Sequence, residues 1–592
     1  VTAALHAADL PRPEFPQPQF QREDWLSLNG TWQFAFDDAA AQTDPKHVAF
    51  TRTITVPFCF ESAASGIGDT SFHPVVWYRR QIAIPRPWSG RHVLLHFGAV
   101  DYRASVWVNG QLVGTHRGGN APFQFDITPQ LKGGRATVVV RAEDSPTDRY
   151  QPRGKQYWQP ASRSIWYTRT SGIWQSVWLE ATGESYFERV RITPSLGPLL
   201  VQSLASLFVG EVRFDALVAN ATPGLEIAAT VKDMQAAVGE VSERRATAEV
   251  IVANPRLWSV ESPNLYDVVF ELRRGKVVLD RVHSYFGFRS LGVKDGRVTI
   301  NGQPVYLKFV LDQGYWPTSI LTPPSDEALQ SDIRVTKEMG FNGARKHQKV
   351  EDPRYLYWAD HMGFLVSGEM ANAQRFDSEY VSAFTQEWME VVERDYNHPS
   401  VIIWAPLNES WGTPRLIEPM QQSHLKALYE LTHSIDGTRL VIDNEGWEHT
   451  ASTDLLAFHD YTAHGPAFAE KYKTLPPIPE NPNPNSKKVM IPGYAYNGTP
   501  FYLSEFGGIA FIPDRSKVPE AAWGYSGVEA TADDALTRLR GLYEAIAGVR
   551  AITGICYTQL TDVEQEVNGL LTYDRHAKFD AARVRALNEL LR

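Results

Sequence analysis

Apolar and polar residues alternate in short runs over the first part of the chain, in "HVLLHFGAV" from His92, "ASVWVNGQLVG" from Ala104 and "RATVVVRAE" from Arg135. Asn-Gly, Gly-Gly and Pro separate the runs. A period of two broken by turn residues predicts strands joined as hairpins, with Asn109 and Gly110 supplying the positive φ angles of a tight turn. Residues 1–185 are therefore expected to form an all-β sandwich. The same pattern returns in "EVRFDALVANA", "LEIAATVKD", "ATAEVIV" and "YDVVFELRR", which predicts a second, immunoglobulin-like sandwich over 186–290.

From about residue 291 the period changes. Leu329 and Ile333 share one helical face ended by Gly340, and "FNGARKH" follows as a short strand. "DPRYLYWADHMG" reads as the next helix and "FLVSGE" as the next strand. Tyr380, Phe384, Trp388 and Val391 mark a further helix ahead of "PSVIIWAPLNE". The alternation runs on through "TRLVIDNEG", "TPFYLSEFGG", "TRLRGLYEAIAG" and "ITGICYTQL". About 300 residues of this grammar suffice for one (β/α)8 TIM barrel, here 291–592, with its working end at the carboxyl ends of the strands.

Composition narrows the partners. The 592 residues carry a net charge of −10 with no basic stripe, which argues against nucleic acid, an anionic membrane or a polyanionic substrate. Cys59 and Cys556, far apart in the chain, read as buried free thiols. No apolar run reaches the roughly 18 residues of a membrane span, and the opening "VTAALHAADLPRP" has neither a signal-peptide core nor a Met. A soluble protein is expected; cytoplasm or periplasm, and a removed leader, stay open.

Three strand ends finish in acids: Glu369, Glu409 and Glu505. Glu409 and Glu505 are 96 positions apart (505 minus 409), enough for three βα units of roughly 30 residues, which would set them facing each other across the barrel mouth. Such a pair suits glycoside hydrolysis, where one carboxyl holds a proton toward the leaving oxygen while the other is ionised. Taken singly, a strand-end Glu reads equally well as a solvated loop acid.

"DYNHPSVIIWAPLNES" resembles the acid/base signature of family 2 glycoside hydrolases, and "FYLSEFGG" the segment around their nucleophile. "LNGTWQFAFD", "VWYRRQIAIP", "FGAVDYRASVWVNGQLVG" and "SGIWQSVWLE" resemble the family's N-terminal jelly-roll sandwich; "LWSVESPNLYDV" and "FGFRS" resemble the exit from its immunoglobulin-like domain. The resemblance implies that Glu409 is the acid/base, Glu505 the nucleophile and Asn408 a partner of the sugar 2-hydroxyl. It places Tyr461 against the nucleophile, with His459 and Asp460 as alternatives at the same rim, and Arg345 nearby. Glu369 is a charge partner in the site or a support behind it. Asp312, Gln313, Tyr315 and Trp316 end the first strand, where Trp316 would stack on a sugar or simply pack. His347 or Gln348 stands where the family carries a substrate-binding His, without the Tyr-Pro that usually follows.

Tyr557, Gln559 and Asp562 are candidate sugar contacts after the last strand. Ala373 and Arg375 stand where metal-dependent relatives have ligands, so no metal and no cofactor are expected. Glu566 and Asn568 occupy the place of the uronate-reading Asn-x-Lys, and the Trp-Gly-Gly of β-mannosidases is missing. Elimination leaves β-galactosidase as the first choice; the mechanism that the resemblance implies is retaining, and an enclosed pocket would make it exo-acting on a glycoside or oligosaccharide. β-Glucuronidase or another family specificity is the alternative, and a non-catalytic carbohydrate-binding protein the rival of another class. The Pro- and Asn-rich stretch 475–498 reads as a lid or as a plain loop. A homo-oligomer is left open.

Overall fold

The computed structural model describes residues 10–592 apart from 199–207, 233–236, 477–486, 515, 517, 519 and 520. Residues 477–486 of the 475–498 stretch read as a lid thus lie outside the described residues. The alternating runs at the start pair as antiparallel strands in two sheets. One sheet has six strands in the order Arg52–Val56, Gly30–Phe36, Val75–Ala83, Arg135–Glu143, Arg103–Val108 and Gln111–Arg117. The other has four, Trp25–Ser27, Val177–Thr182, His92–Phe97 and Phe123–Asp126. Phe34, Tyr78, Val106 and Val138 of the first meet Val93, Leu95, Phe97 and Leu179 of the second in a closed core. The expected Asn109-Gly110 hairpin forms, with φ of 50° and 79°.

A smaller sandwich follows. Tyr186–Pro198, Phe208–Ala219 and Arg245–Ala253 make one sheet; Ala237–Glu240, Glu226–Val231, Tyr266–Arg274 and Val277–Phe286 make the other. Arg245–Ala253 is strictly alternating in burial, so one face of that strand enters the core and the other meets water.

After a small antiparallel sheet of Leu291–Lys294, Arg297–Ile300 and Gln303–Pro304 comes a parallel barrel of eight strands: β1 (Leu307–Asp312), β2 (Gly343–Lys346), β3 (Leu365–Glu369), β4 (Val401–Ala405), β5 (Leu440–Val441), β6 (Leu456–Asp460), β7 (Phe501–Gly507) and β8 (Ile552–Thr558). Their hydrogen-bonded order is β5-β4-β3-β2-β1-β8-β7-β6. Strands buried on both faces carry nearly unbroken apolar runs. Val310, Ala344, Val366 and Trp404 face the surrounding helices, while Phe309, Leu311, Ile403, Tyr502 and Cys556 join the inner cluster.

The helices begin and end where side chains can cap them. Asp326–Glu338 (α1) starts at Ser325, whose hydroxyl accepts from Ala328 N, and Pro353–Met362 (α2) runs from the Asp352 cap to Gly363 at φ 64°. Ser378–Asp395 (α3) buries the expected Tyr380, Phe384, Trp388 and Val391. Pro419–Ile435 (α4), Gly465–Tyr472 (α5), Ala532–Ala547 (α6) and Ala581–Asn588 (α7) complete the set.

One strand differs from the sequence reading. "TRLVIDNEG" splits into β5 and a second piece, Asn444–Glu445, which pairs in parallel with Leu407–Asn408 just beyond β4. Asp443 causes the break: its carboxylate accepts from Asn444 N at 2.9 Å and from Thr450 N at 3.0 Å, so side chain replaces ladder. Side chains also close the seam between β5 and β6. Asp454 exchanges two hydrogen bonds with the Val441 backbone, at 2.7 and 2.9 Å, and His449 spans from Asp443 (2.6 Å) to the Ala457 carbonyl (2.7 Å). The break has a consequence at the rim. It brings Glu445 under Asn408 and lets Glu409 N donate to the Glu445 carbonyl at 2.8 Å.

Candidate active site

Arg345, wholly buried on β2, organises the barrel mouth. Its Nη1 donates to Glu505 Oε1 at 2.9 Å and to the Ser504 carbonyl at 3.0 Å; its Nη2 donates to Asn408 Oδ1 at 2.6 Å. Nε pairs with Glu369. Glu369, at the end of β3, also accepts from Gln348 N at 2.9 Å and lies 3.1 Å from His347 Nδ1. An inward-pointing Arg with this many acceptors is fixed in place, and it fixes the carboxylates around it.

Glu505 projects from β7. Tyr461, just past β6, donates its hydroxyl to Glu505 Oε2 at 2.6 Å, and its ring lies flat on Tyr525 at 3.5 Å. Burial alone would raise the Glu505 pKa. His459, Arg345 and the Tyr461 hydrogen bond outweigh burial and hold it well below the usual carboxylate range. This carboxylate is ionised.

Glu409 follows the Leu407–Asn408 ladder and sits at φ 52°, with Ser410 at 62°. Two successive non-glycine residues in the left-handed region are uncommon, and this turn lifts the Glu409 side chain toward the mouth. Ser410 N anchors the turn on Asn444 Oδ1 at 2.9 Å, and Ser410 Oγ donates to Glu448 at 2.6 Å.

His459 Nδ1 lies 3.0 Å from Glu409 Oε1 and 3.4 Å from Glu505 Oε2, so one imidazole nitrogen faces both acids. An oxygen of each carboxyl and a ring nitrogen of His459 all fall within 4.8 Å of one another. Among the described residues these three are the cluster whose donor atoms are close enough to share a metal ion. The two acids differ in access, the Glu409 side chain being 20 % exposed and that of Glu505 7 %.

Asn408 Nδ2 has no partner among the described residues although it is buried, which leaves one amide donor free in the mouth. His347 is buried, and burial first, then Arg345, depress its pKa far below the usual histidine value; it is a neutral imidazole.

Other candidates stand apart from the pair. Asp312 is spent on Lys346, and Asp562 on Lys578 (2.8 Å) and Gly569 N (2.8 Å). Trp316 does not offer a sugar-stacking face: it is 5 % exposed and the Arg575 guanidinium covers its ring at 3.6 Å. Tyr315 is buried edge-on to Tyr167 at 5.0 Å. Asp460 holds Tyr472 at 2.8 Å and Thr462 N at 2.7 Å, pointing away from the acids. Tyr557 is buried, its hydroxyl 3.5 Å from the Asn568 carbonyl. Gln559 joins a chain in which Gln313 donates to it at 2.9 Å and it donates to Asn568 at 2.7 Å.

Sequence reasoning missed Glu445. It is wholly buried, 3.7 Å from Arg345 Nε, and burial raises its pKa against the opposing pull of Arg345. Its acidic side chain directly before a glycine looks like an ordinary turn.

Two sandwiches ahead of a parallel barrel, with a close carboxylate pair of unequal surroundings at the carboxyl ends of its strands, define the architecture of a barrel glycosidase. The sugar-binding domain model of family 2 glycosyl hydrolases matches residues 25–182, a second model of that family 211–289, and its TIM barrel domain 291–493. The chain belongs to glycosyl hydrolase family 2.

A putative beta-glucuronidase of Formosa agariphila is 26 % identical over 393 residues, covering 64 % of this chain and 46 % of that protein. A beta-galactosidase of Priestia megaterium is 26 % identical over 495 residues, covering 78 % and 44 %. The chain thus spans under half the length of these relatives. A GH2 beta-galacturonidase from Eisenbergiella tayi superposes with a TM-score of 0.75 at 20 % identity, over 98 % of this chain and 99 % of that one. A beta-glucuronidase from Bifidobacterium dentium does so at 0.77 and 18 % identity, over 97 % and 98 %. These likenesses establish the fold. No helix among the described residues is long and apolar enough to cross a membrane.

Proposed function

We propose that the chain is an exo-acting, retaining β-glycoside hydrolase with Glu505 as nucleophile and Glu409 as acid/base, acting first on β-galactosides. The division at residues 185 and 290, with catalysis confined to the third unit, is part of this proposal. The observation that carries it is the pair itself, with oxygens of Glu409 and Glu505 within 4.8 Å. That closeness is compatible with the roughly 5 to 5.5 Å carboxyl separation of retaining enzymes.

Glu505, ionised and steadied by Arg345 and Tyr461, attacks the anomeric carbon while Glu409 delivers a proton to the departing oxygen. The new bond consumes the Glu505 charge. Glu409, now a carboxylate and the more open of the two, takes a proton from water, which attacks the same carbon and frees Glu505. His459 Nδ1, facing both acids, supports the negative charge as it moves from one to the other. Asn408 Nδ2, the free donor, meets the sugar 2-hydroxyl. No cofactor or metal takes part in these steps.

Glu566 supports a neutral glycone. It is 2 % exposed at the place where a uronate-reading pair would stand, and a carboxyl there opposes a sugar carboxylate. The test is a panel of nitrophenyl β-galactoside, β-glucuronide, β-glucoside, β-mannoside and α-arabinoside with Glu409→Gln and Glu505→Gln beside the parent. Each variant is expected to lose several orders of magnitude in kcat. Azide should restore turnover in both Glu409→Ala and Glu505→Ala, giving the β-glycosyl azide from the first through the glycosyl-enzyme and the α-glycosyl azide from the second by direct displacement. Unchanged turnover in either Gln variant removes that residue from its role, and turnover of the glucuronide alone overturns the specificity.

A further inference from the structure

The sandwich segment 144–171 lies across the barrel rim. Arg153 N and Gly154 N donate to the Asn372 carbonyl at 3.2 and 3.0 Å, and Gln565 Nε2 donates back to the carbonyls of Ser164 (2.6 Å) and Trp166 (3.0 Å). Gly154 sits at φ +55°, and a Cβ there would stand 2.2 Å from the Gln348 carbonyl, so glycine alone allows so close a crossing. The next residue, Lys155, is carried over the mouth.

Lys155 is 7 % exposed, yet among the described residues its ammonium makes no hydrogen bond and no ion pair. Its recorded contact is the ring face of Trp411, two residues past Glu409, at 5.0 Å from the centroid. Glu566 and His347 are its electrostatic neighbours. The ammonium tip keeps contact with solvent in the mouth, where its three donors are open to a ligand.

Glu566 cannot swing across to meet it. Tyr167 OH holds Oε2 at 2.6 Å, Asn568 Nδ2 holds Oε1 at 3.1 Å, and Asn568 is itself held by Gln559 at 2.7 Å and through it by Gln313 at 2.9 Å. Each Glu566 oxygen still has a lone pair to offer. The mouth therefore presents a fixed acceptor and an open donor within electrostatic reach of each other.

We propose that Lys155 and Glu566 together read one hydroxyl group of the glycone, the ammonium donating to the hydroxyl oxygen and the hydroxyl hydrogen going to Glu566. This rests on the glycosidase reading and adds to it a specificity-determining residue from the sandwich. A charge-neutral donor and acceptor pair selects a neutral hydroxylated sugar, and the sandwich thereby completes the pocket.

Turnover of a nitrophenyl β-glycoside by the parent protein tests the underlying reading separately. The proposal is then tested with monodeoxy versions of the preferred glycoside. In the parent, one deoxy position should lower kcat/KM by about 10²-fold or more, since a site built around a hydroxyl rejects the analogue lacking it. Lys155→Met should lose most of its kcat/KM on the full sugar through KM, and should no longer distinguish that one deoxy analogue by more than about threefold, against the about 10²-fold set by the hydroxyl. Glu566→Gln, which keeps the Tyr167 and Asn568 contacts in part, should blunt discrimination at the same position. The proposal fails if Lys155→Met keeps its kcat/KM within twofold, if it loses equally on the full and every deoxy sugar, or if Lys155→Met and Glu566→Gln affect different hydroxyls.

Discussion

At the residue scale, the account turns on how one ionised carboxylate is kept ionised inside a barrel. Glu505 is buried, which opposes its charge, and the groups that overcome burial are His459, Arg345 and the Tyr461 hydroxyl. Removing a lowering contact must raise its pKa. Tyr461→Phe is therefore expected to move the acid limb of the kcat/KM profile to higher pH, because Glu505 would protonate sooner as pH falls, and to cost about 10² in kcat for the lost oriented donor. An unmoved acid limb would remove Tyr461 from this role. Glu409 and Glu505 stood out in the sequence through the apolar runs before them together with the resemblance of "VIIWAPLNES" and "FYLSEFGG" to the family's two signatures. Trp316, Asp312 and Asp562 were legible as polar or aromatic strand ends but not as spent groups. Their partners Arg575, Lys346 and Lys578 come from elsewhere in the chain, and only folding pairs them.

At the scale of elements, one short rim ladder aims the chemistry. Leu407–Asn408 against Asn444–Glu445 sets the height from which Glu409 turns upward, and Gly446 follows at φ +101° with a virtual Cβ only 2.7 Å from the His459 ring. Gly446→Ala should displace the imidazole from both acids, lowering kcat while the protein stays folded by circular dichroism. Equal kcat would show that His459 has no place between the acids. Gly412 is the harsher case: it sits at φ +80° and a Cβ would meet the Tyr380 hydroxyl at 2.2 Å. Gly412→Ala should lower the unfolding free energy by about 1 to 3 kcal/mol, as overpacking beside a special φ does, measured in urea. Alternation of strand and helix in the sequence predicted the barrel, since period and capping are local signals. The split of "TRLVIDNEG" was hidden, because Asp443 chooses side-chain over ladder bonds only when Thr450 and His449 return beside it.

At the scale of the molecule, the jelly-roll sandwich and the barrel meet over buried acids as well as over the mouth. Glu387 of α3 is 1 % exposed and accepts from Asn120 N at 2.7 Å and Asn120 Nδ2 at 2.9 Å. Burial raises its pKa from 4.5 to about 7, against those two hydrogen bonds. A carboxyl that binds its proton more tightly when folded makes the fold lose stability as pH rises from the unfolded pKa to the folded one. The parent should thus lose stability relative to Glu387→Gln between pH 4.5 and 7, by about 3 kcal/mol at most, and the difference should be flat above pH 8. Parallel pH curves for the two proteins would place the charge elsewhere. The sandwich domains were legible from their turns; that one of them sends Lys155 across to the barrel was not, because Gly154 reads as a loop glycine until the Gln348 carbonyl is seen against it.

The central claim is that Glu505 bonds covalently to the sugar while Glu409 manages protons. The most direct measurement is intact-protein and peptide mass spectrometry after reaction with a 2-deoxy-2-fluoro β-glycosyl fluoride of the preferred sugar. One added fluoroglycosyl group on the peptide containing Glu505, absent from Glu505→Gln and released on adding an acceptor alcohol, is the predicted result. A protein that turns over nitrophenyl glycosides yet carries the label on Glu409, Glu369 or Glu445, or on no residue at all, would contradict the account.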